Sequence, residues 1–336
     1  MGRSRDRNGE YKYRAAWWLP GGHAQTIWGR VARPHRATDV SVECLSTPDG
    51  DNLEIHSLAG GGGASQPHVL MLHGLEGSFR SHYVGGVFGQ ARRRGWHASL
   101  ITFRGCGSAP NVARRFYHSG ETSDVAFAFH TLSDRWPDAP WLLAGVSLGG
   151  NVLLRWLGDL ADAASARIRA AAAVSVPFDL EAGARNIARG FARVYDRAFL
   201  KSLRRKAIAK LALYPDLFSR ERLERARNVI EFDDAVTAPV HGFEGASDYY
   251  TRCSSIHSLP RIRVPTLLLS ARDDPFLPRQ VLDRAARVAA ANPALELELH
   301  DHGGHVGFVA GARPWHPTYY AEWRVFRFFD SALERA

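Results

Sequence analysis

The sequence contains little cysteine and no long apolar run. Among its 336 residues, the three cysteines Cys44, Cys106 and Cys253 are scattered and lack the paired spacing of a disulfide framework or a zinc site. The longest apolar runs, such as 170–174, are far shorter than the roughly 20 residues that span a bilayer. These absences exclude a disulfide-stapled scaffold and a membrane-spanning protein, and they favour a reducing compartment.

The N-terminus also lacks the features of common targeting signals. The opening MGRSRDRNGEYKYR is charged, and no apolar stretch follows it, so no secretory signal peptide is expected. Asp6 occupies the position at which a myristoylation motif has Ser or Thr. We therefore expect a soluble, cytoplasmic protein.

The charge is unbalanced, but it is not concentrated in one tract. A net charge of +9 raises the question of nucleic-acid binding. The excess is mostly dispersed arginine, and the run 92–94 precedes Gly95 as basic residues do at a helix C-terminus. A capped helix is the favoured interpretation, and no nucleic-acid partner is expected.

Strand-like and helix-like segments alternate along most of the chain. Two short strands around a turn predict an antiparallel start at 40–56. Alternation then predicts one large α/β domain, 1–336, with a mostly parallel sheet flanked by helices. The later predicted strands are 68–72, 98–103, 141–144, 170–176, 264–269 and 295–300, and helices are predicted at 83–94, at 122–135 and from residue 148.

This rhythm stops after residue 176, and 177–250 is interpreted as a helical cap inserted in the domain. Leu200, Leu203, Ala207 and Leu211 recur there at helical spacing. The remaining faces carry basic residues, which predicts an amphipathic helix whose basic side is solvated. Peripheral membrane contact through this cap is left open. The basic residues are Lys201, Arg204, Arg205 and Lys206.

A candidate nucleophile lies in the pentapeptide GVSLG at 145–149, which matches G-x-S-x-G. An apolar strand precedes it and a helical segment follows it, as the motif requires. The glycines permit a sharp turn that exposes the hydroxyl of Ser147. The alternative is a glycine-rich turn whose serine only caps the helix.

A serine hydroxyl needs a base within hydrogen-bonding reach and a group that orients the base. His305 is the predicted base because it follows the last strand and a pair of glycines, with His300 and His302 as competing neighbours. Metal binding by these histidines is disfavoured because no further ligands have suitable spacing. Asp273 and Asp274 both follow a strand, and Asp274 is chosen because it precedes the turn PFLP.

An oxyanion hole requires two backbone N–H groups directed at the oxygen that becomes negative. One is expected from Leu148, the residue after the nucleophile. The other is expected from Leu75 in the loop HGLEG at 73–77. The alternative interpretation is a plain connecting loop.

Eight segments in order carry a family resemblance. They are GGHAQT at 21–26, HGLEG at 73–77, FRGC at 103–106, YHSGET at 117–122, GVSLGGN at 145–151, FDDAVT at 232–237, ARDDP at 271–275 and GGHVGF at 303–308. With them the chain resembles the YheT-like branch of the α/β-hydrolases, related to mammalian α/β-hydrolase-domain lipases and esterases. The resemblance implies the triad Ser147, Asp274 and His305, and it implies hydrolysis of esters, acylglycerols or phospholipids. Segments 21–26 and 117–122 have no assigned chemical role.

The expected function is a serine esterase that acts on short or medium acyl chains, with acylglycerols among its substrates. It needs no cofactor and no metal. Acyl transfer or thioester hydrolysis on the same triad is the alternative within enzymes. A non-catalytic binding protein that keeps the fold is the alternative outside them.

Overall fold

The computed structural model describes residues 12–33, 39–108 and 111–335, so Asp6 lies outside the described residues. Eight strands form one sheet in the order β1-β2-β4-β3-β5-β6-β7-β8. The first two strands are antiparallel, and the other six are parallel to one another. The strands are β1 (Ser41–Ser46), β2 (Asn52–Leu58), β3 (His68–Leu72), β4 (His97–Thr102), β5 (Trp141–Val146), β6 (Ile168–Val174), β7 (Thr266–Ala271) and β8 (Leu295–His300).

The central strands are buried, as their apolar sequences predict. Every residue of β3, β4, β5 and β7 is buried. Successive side chains of β3 alternate between the two faces: Leu70 and Leu72 pack in one core, and Val69 and Met71 in the other. Since full burial of such a side chain stabilises the fold by about 1.5–3 kcal/mol, both faces need a helical cover. The predicted fold class is confirmed.

Helices cover both faces of the sheet. Side chains of α3, α4 and α11 join one core, whereas those of α2 and α12 join the other. No helix in the described ranges is both long enough and apolar enough to cross a membrane. The helices are α1 (Gly21–Ala32), α2 (Val84–Arg93), α3 (Ser123–Arg135), α4 (Leu148–Leu160), α5 (Leu180–Ile187), α6 (Arg193–Leu213), α7 (Arg220–Arg225), α8 (Val229–Phe232), α9 (Ala238–His241), α10 (Ala246–Cys253), α11 (Arg279–Ala290) and α12 (Tyr320–Glu334).

Between β6 and β7 the chain forms helices without a strand, from α5 to α10. The longest of them, α6, buries the predicted apolar positions Leu200, Ala207 and Leu211. The prediction that Lys206 lies on a solvated basic side is wrong, because its ammonium group donates a hydrogen bond to a buried carboxylate. Lys201 remains exposed. The helical spacing of the apolar residues predicted the buried side of α6. It did not predict that Lys206, next to that side, pairs with a carboxylate inside the protein.

Candidate active site

Ser147 lies at the sharp turn between β5 and α4. Its backbone has φ 53° and ψ −121°, a conformation that costs a non-glycine residue about 1–3 kcal/mol and exposes the side chain. The flanking glycines permit the turn. A Cβ atom would lie 2.6 Å from the Gly149 carbonyl oxygen if placed on Gly145, and 2.5 Å from the His73 carbonyl oxygen if placed on Gly149. The local sequence therefore forms the strained elbow that its pattern predicts.

A continuous chain of hydrogen bonds joins the three predicted side chains. Nε2 of His305 lies 2.9 Å from Oγ of Ser147, and Nδ1 of the same ring lies 2.8 Å from Oδ2 of Asp274. The other carboxylate oxygen of Asp274 accepts a hydrogen bond from the Phe276 N–H at 2.8 Å. The Phe276 ring also stacks on His305 at 4.0 Å. The buried carboxylate thus holds the imidazole with Nε2 toward the serine hydroxyl.

The three histidines that the sequence left open have separate partners. His300 Nε2 lies 2.6 Å from a carboxylate oxygen of Glu298. His302 is exposed, and its Nδ1 lies 3.2 Å from Asp273. Of the three, His305 is the one that reaches the serine. Their side chains therefore do not converge on one point, as ligands of a shared metal ion would.

The loop that carries His305 is fastened on two sides. The Gly304 N–H donates to Asp273 Oδ1 at 2.8 Å. The His305 N–H donates to Thr26 Oγ1 at 2.8 Å, and this hydroxyl donates to the Gly22 carbonyl oxygen at 2.7 Å. The start of α1 therefore positions the backbone of His305, which gives segment 21–26 a structural role. The sequence offered no signal for Thr26 other than its place in a family motif.

Both predicted oxyanion donors lie beside the serine. Leu148 follows Ser147 at the start of α4, and Leu75 lies in the loop after β3. A Cβ atom on Gly74 would lie 3.2 Å from the Ser147 Cβ, so this loop passes directly over the elbow. Leu75 and Leu148 line the same pocket as Ser147. Both residues that the sequence predicts as donors therefore lie at the same end of the pocket as the Ser147 hydroxyl.

A buried histidine, His73, holds the backbone of this loop in place through hydrogen bonds. His73 Nε2 accepts a hydrogen bond from the Phe103 N–H at 3.0 Å, which leaves the ring proton on Nδ1 for the Gly74 carbonyl oxygen, 2.7 Å away. Burial lowers the pKa of His73 to about 4, so the ring stays neutral and keeps this tautomer. The Tyr83 hydroxyl accepts a hydrogen bond from the Gly74 N–H at 2.8 Å.

Glu76, the residue after Leu75, connects the loop to α6. Its φ of 55° is left-handed, which costs a non-glycine residue about 1–2 kcal/mol. Its carboxylate accepts hydrogen bonds from the Tyr117 hydroxyl at 2.8 Å, from Lys206 Nζ at 2.7 Å and from the Ser202 hydroxyl. The Tyr117 hydroxyl in turn accepts from the Glu76 N–H at 2.9 Å. These partners hold the strained residue in place, and they give Tyr117 of segment 117–122 a role.

The charge states of Lys206 and Tyr117, two of the partners of Glu76, follow from their surroundings. Burial alone would lower the pKa of Lys206, but Cys106 and Glu76 raise it above the ordinary value. Burial raises the pKa of Tyr117 well above its usual range. At neutral pH Lys206 therefore carries a positive charge, and Tyr117 is neutral.

An apolar pocket lies between the sheet and the helices that follow β6. Ser147 and His305 belong to its lining, together with Leu75 and Leu148. Most of the remaining lining is aliphatic or aromatic, so the pocket suits a hydrocarbon chain. The apolar side chains from α5, α6 and the helices beyond are Leu180, Ala184, Ile187, Phe199, Leu203, Val229, Phe232 and Val236.

Comparison with known proteins identifies the family. Residues 67–312 match the family model described as the alpha/beta hydrolase fold. The chain is 38% identical to YheT of Escherichia coli (strain K12), named as a candidate esterase, over 93% of this chain and 91% of that one. It is 30% identical to monoacylglycerol lipase of Saccharomyces cerevisiae over 75% of this chain and 57% of that one.

A solved structure agrees with this assignment at the level of the fold. The esterase Pf2001 of Pyrococcus furiosus superposes with a TM-score of 0.57 and 17% identity, covering 87% of this chain and 92% of that one. The family match spans the loop of Leu75, the elbow at Ser147 and Leu148, and the loop of His305. The chain therefore belongs to the α/β-hydrolase fold family of enzymes, in its YheT-like branch.

Proposed function

We propose that this protein hydrolyses carboxylic esters through an acyl-enzyme formed on Ser147. The observation that carries the proposal is the hydrogen-bond chain from Asp274 through His305 to Ser147, which ends at an apolar pocket. The names of the relatives, a candidate esterase and a monoacylglycerol lipase, support ester chemistry. The proposed substrates are esters of short or medium acyl chains, acylglycerols among them.

The first half-reaction transfers the acyl group to the enzyme. His305 Nε2 accepts the hydroxyl proton while Ser147 Oγ attacks the carbonyl carbon, and Asp274 stabilises the resulting imidazolium. The carbonyl oxygen becomes an oxyanion that accepts hydrogen bonds from the N–H groups of Leu75 and Leu148. His305 then donates its proton to the leaving oxygen, the ester C–O bond breaks, and the alcohol departs.

The second half-reaction uses water in place of the alcohol. His305 accepts a proton from water, whose oxygen attacks the acyl carbon bound to Ser147. The same two N–H groups stabilise the second oxyanion. Collapse of this intermediate breaks the bond to Oγ, returns the proton to Ser147 and releases the carboxylic acid.

A panel of p-nitrophenyl and glycerol esters, graded by acyl length, tests the proposal together with a fluorophosphonate probe. We expect turnover of esters and labelling of Ser147, because the base activates its hydroxyl. If the folded protein hydrolyses no ester in the panel and Ser147 resists the probe, the proposal is wrong.

The helices after β6 are expected to select the acyl chain. Phe199 and Leu203 of α6 line the apolar pocket, so trimming either to alanine should shift the preferred chain length by two or more carbons while the triad stays intact. Leu213→Ala is the matched control, because Leu213 lies on the same helix with 54% of its surface exposed. An unchanged chain-length profile in folded Phe199→Ala and Leu203→Ala variants would place the acyl pocket elsewhere.

Glu76 is expected to act as a positioning residue for the oxyanion donor Leu75. Glu76→Gln weakens the link to Lys206, so we expect kcat to fall about 10-fold, which is less than the ~10²–10³ that complete loss of a donor costs. The KM should change much less, because Glu76 does not line the apolar pocket. The rate of fluorophosphonate labelling should fall in parallel.

Variants of α6 separate this role from a general effect on stability. Lys206→Met should lower kcat as Glu76→Gln does. Lys206→Arg keeps the ion pair, so this variant should retain most of the parent kcat. Lys201→Met is the control, since Lys201 is exposed on the same helix. Equal kcat values in Glu76→Gln, Lys206→Met and the parent would contradict the role.

A further inference from the structure

The apolar pocket contains a small polar cluster. Asp233, Thr237 and Tyr250 line it together with the hydrocarbon side chains. The first two belong to residues 233–237, which form a π-helix between α8 and α9, and Tyr250 belongs to α10. π-Helical turns are rare, and many of them occur at functional sites. The segment FDDAVT at 232–237, to which the chemistry at Ser147 gives no role, therefore contributes a carboxylate to the wall of the pocket.

The carboxylate of Asp233 is buried and still has hydrogen-bonding capacity. Its Oδ1 accepts a hydrogen bond from the Thr237 hydroxyl at 2.6 Å, and its Oδ2 accepts one from the Tyr250 hydroxyl at 2.6 Å. In the described part of the chain, these two hydroxyls are the groups that stabilise its negative charge. Because a carboxylate can accept about four hydrogen bonds, Asp233 can accept another from a donor inside the pocket.

The charge of Asp233 has a cost that a plain hydrocarbon chain would not offset. Burial raises the pKa of Asp233 to about 6, although hydrogen bonds from Thr237 and Tyr250 oppose the shift. Most molecules therefore carry the carboxylate at neutral pH. A buried ionised group is unfavourable unless polar partners replace the water that it has lost. A polar group on the bound chain would supply such a partner.

The adjacent aspartate has the same side chain but a different direction. Asp234 is half-exposed and does not line the pocket. Its carboxylate pairs with Arg222 at 2.7 Å and accepts a hydrogen bond from the Ala246 N–H at 3.1 Å. The two aspartates therefore form a matched pair, one directed into the acyl pocket and one directed to the surface.

A hydroxyl group suits the free capacity of Asp233 better than an ammonium group does. Moving an ammonium ion from water into an apolar pocket costs far more free energy than moving a hydroxyl, and one ion pair often fails to offset that cost. A hydroxyl costs much less and donates one hydrogen bond to the carboxylate. Thr237 and Tyr250 already bind Asp233 in this way.

We propose that Asp233 binds a hydroxyl group on the acyl chain of the substrate, so that esters of hydroxylated fatty acids are preferred. The hydrogen bonds of Asp233 go to Thr237 and Tyr250, not to the triad. Asp233 therefore determines specificity and takes no part in breaking bonds. The proposal rests on ester hydrolysis at Ser147 and names the acyl part of its substrate.

Pairs of methyl esters with and without a terminal hydroxyl group test the proposal. Both esters of a pair have the same number of carbons, and the series of chain lengths scans the distance between the ester carbon and the hydroxyl. At the length that brings the hydroxyl to Asp233, kcat/KM for the hydroxylated ester should exceed that for the plain ester by about 10-fold, as expected for a hydrogen bond to a charged acceptor. At other lengths the plain ester should be preferred, because an unpaired hydroxyl loses its water.

Variants of the two aspartates show which carboxylate creates the preference. In Asp233→Asn the ratio of the two kcat/KM values should fall about 5-fold, because a neutral amide oxygen is a weaker acceptor than a carboxylate. Asp234→Asn should leave the ratio unchanged, since its side chain lies outside the pocket. Asp233→Ser serves if Asp233→Asn does not fold.

Tyr250→Phe separates substrate binding from a purely structural role of Asp233. If Asp233 only held Tyr250 in place, removing either partner of their hydrogen bond would change the ratio equally. A carboxylate that binds the substrate remains in Tyr250→Phe, so the preference for the hydroxylated ester should persist. A ratio that falls as far in Tyr250→Phe as in Asp233→Asn would overturn the proposal.

The remaining outcomes separate this proposal from the one on which it rests. If plain esters are hydrolysed but no hydroxylated ester is preferred at any length, or if the preference survives in Asp233→Asn, Asp233 does not bind the substrate. Ester hydrolysis then still stands. If no ester of either series is hydrolysed and the fluorophosphonate probe does not label Ser147, both proposals fail.

Discussion

Replacing Ser147 with alanine is expected to lower kcat for ester hydrolysis by about 10⁴-fold or more and to abolish fluorophosphonate labelling. The hydroxyl is the atom that His305 contacts and that the elbow exposes, and no other group would occupy its position in the variant. Ester turnover and probe labelling measure the effect. Ser41→Ala is the control, since Ser41 is exposed on β1.

His305→Ala is expected to cost about as much as Ser147→Ala, and the double variant should lose little more. The two side chains perform one step together, so either loss removes the whole contribution of the pair. Steady-state kinetics of both single variants and the double variant measure this. Losses that multiply in the double variant would show that the residues act independently.

The second large effect is expected at the paired aspartates. Asp274→Asn should lower kcat by about 10³–10⁴-fold, because an amide cannot stabilise the imidazolium and favours the wrong tautomer of His305. Asp273→Asn should cost less than 10-fold, since its side-chain oxygen can still accept the hydrogen bond from the Gly304 N–H. Steady-state kinetics of the two variants give the comparison.

Thermal unfolding of both asparagine variants is the matched control, because each aspartate accepts a hydrogen bond from a loop backbone and its replacement could lower the stability of the fold. Similar melting temperatures with very different kcat values would localise the effect of Asp274 to the chemistry. Parent-like turnover in Asp274→Asn, or a larger loss in Asp273→Asn, would mean that the other carboxylate orients the base.

Several elements could be predicted from local sequence because their cause is local. The predicted limits of β3 and β8 coincide with the observed strands, and the helix predicted at 83–94 differs from α2 by one residue at each end. Gly95 adopts the left-handed conformation expected after a helix. In each case a run of apolar residues, a regular alternation of apolar and polar residues or a turn-forming glycine marks the element within a few positions.

Contacts between distant segments could not be predicted in this way. Lys206 has the same local pattern as the exposed Lys201, and its partner Glu76 lies 130 positions earlier in the chain. Thr26 lies 279 positions before His305. A helical wheel gives the angle of a side chain about its own axis, but the identity of the facing residue depends on how the helices and loops pack.

The amino-acid sequence by itself determined the order of strands and helices, the strained turn at Ser147 and the set of candidates for base and acid. Each of these depends on the side-chain volume and backbone freedom of residues near one another in the chain. Only the tertiary structure decided which histidine reaches the serine, which aspartate reaches that histidine, and which lysine of α6 pairs with Glu76. Those outcomes depend on distances of a few ångströms between distant segments, and such distances are set when the sheet and its helices pack together.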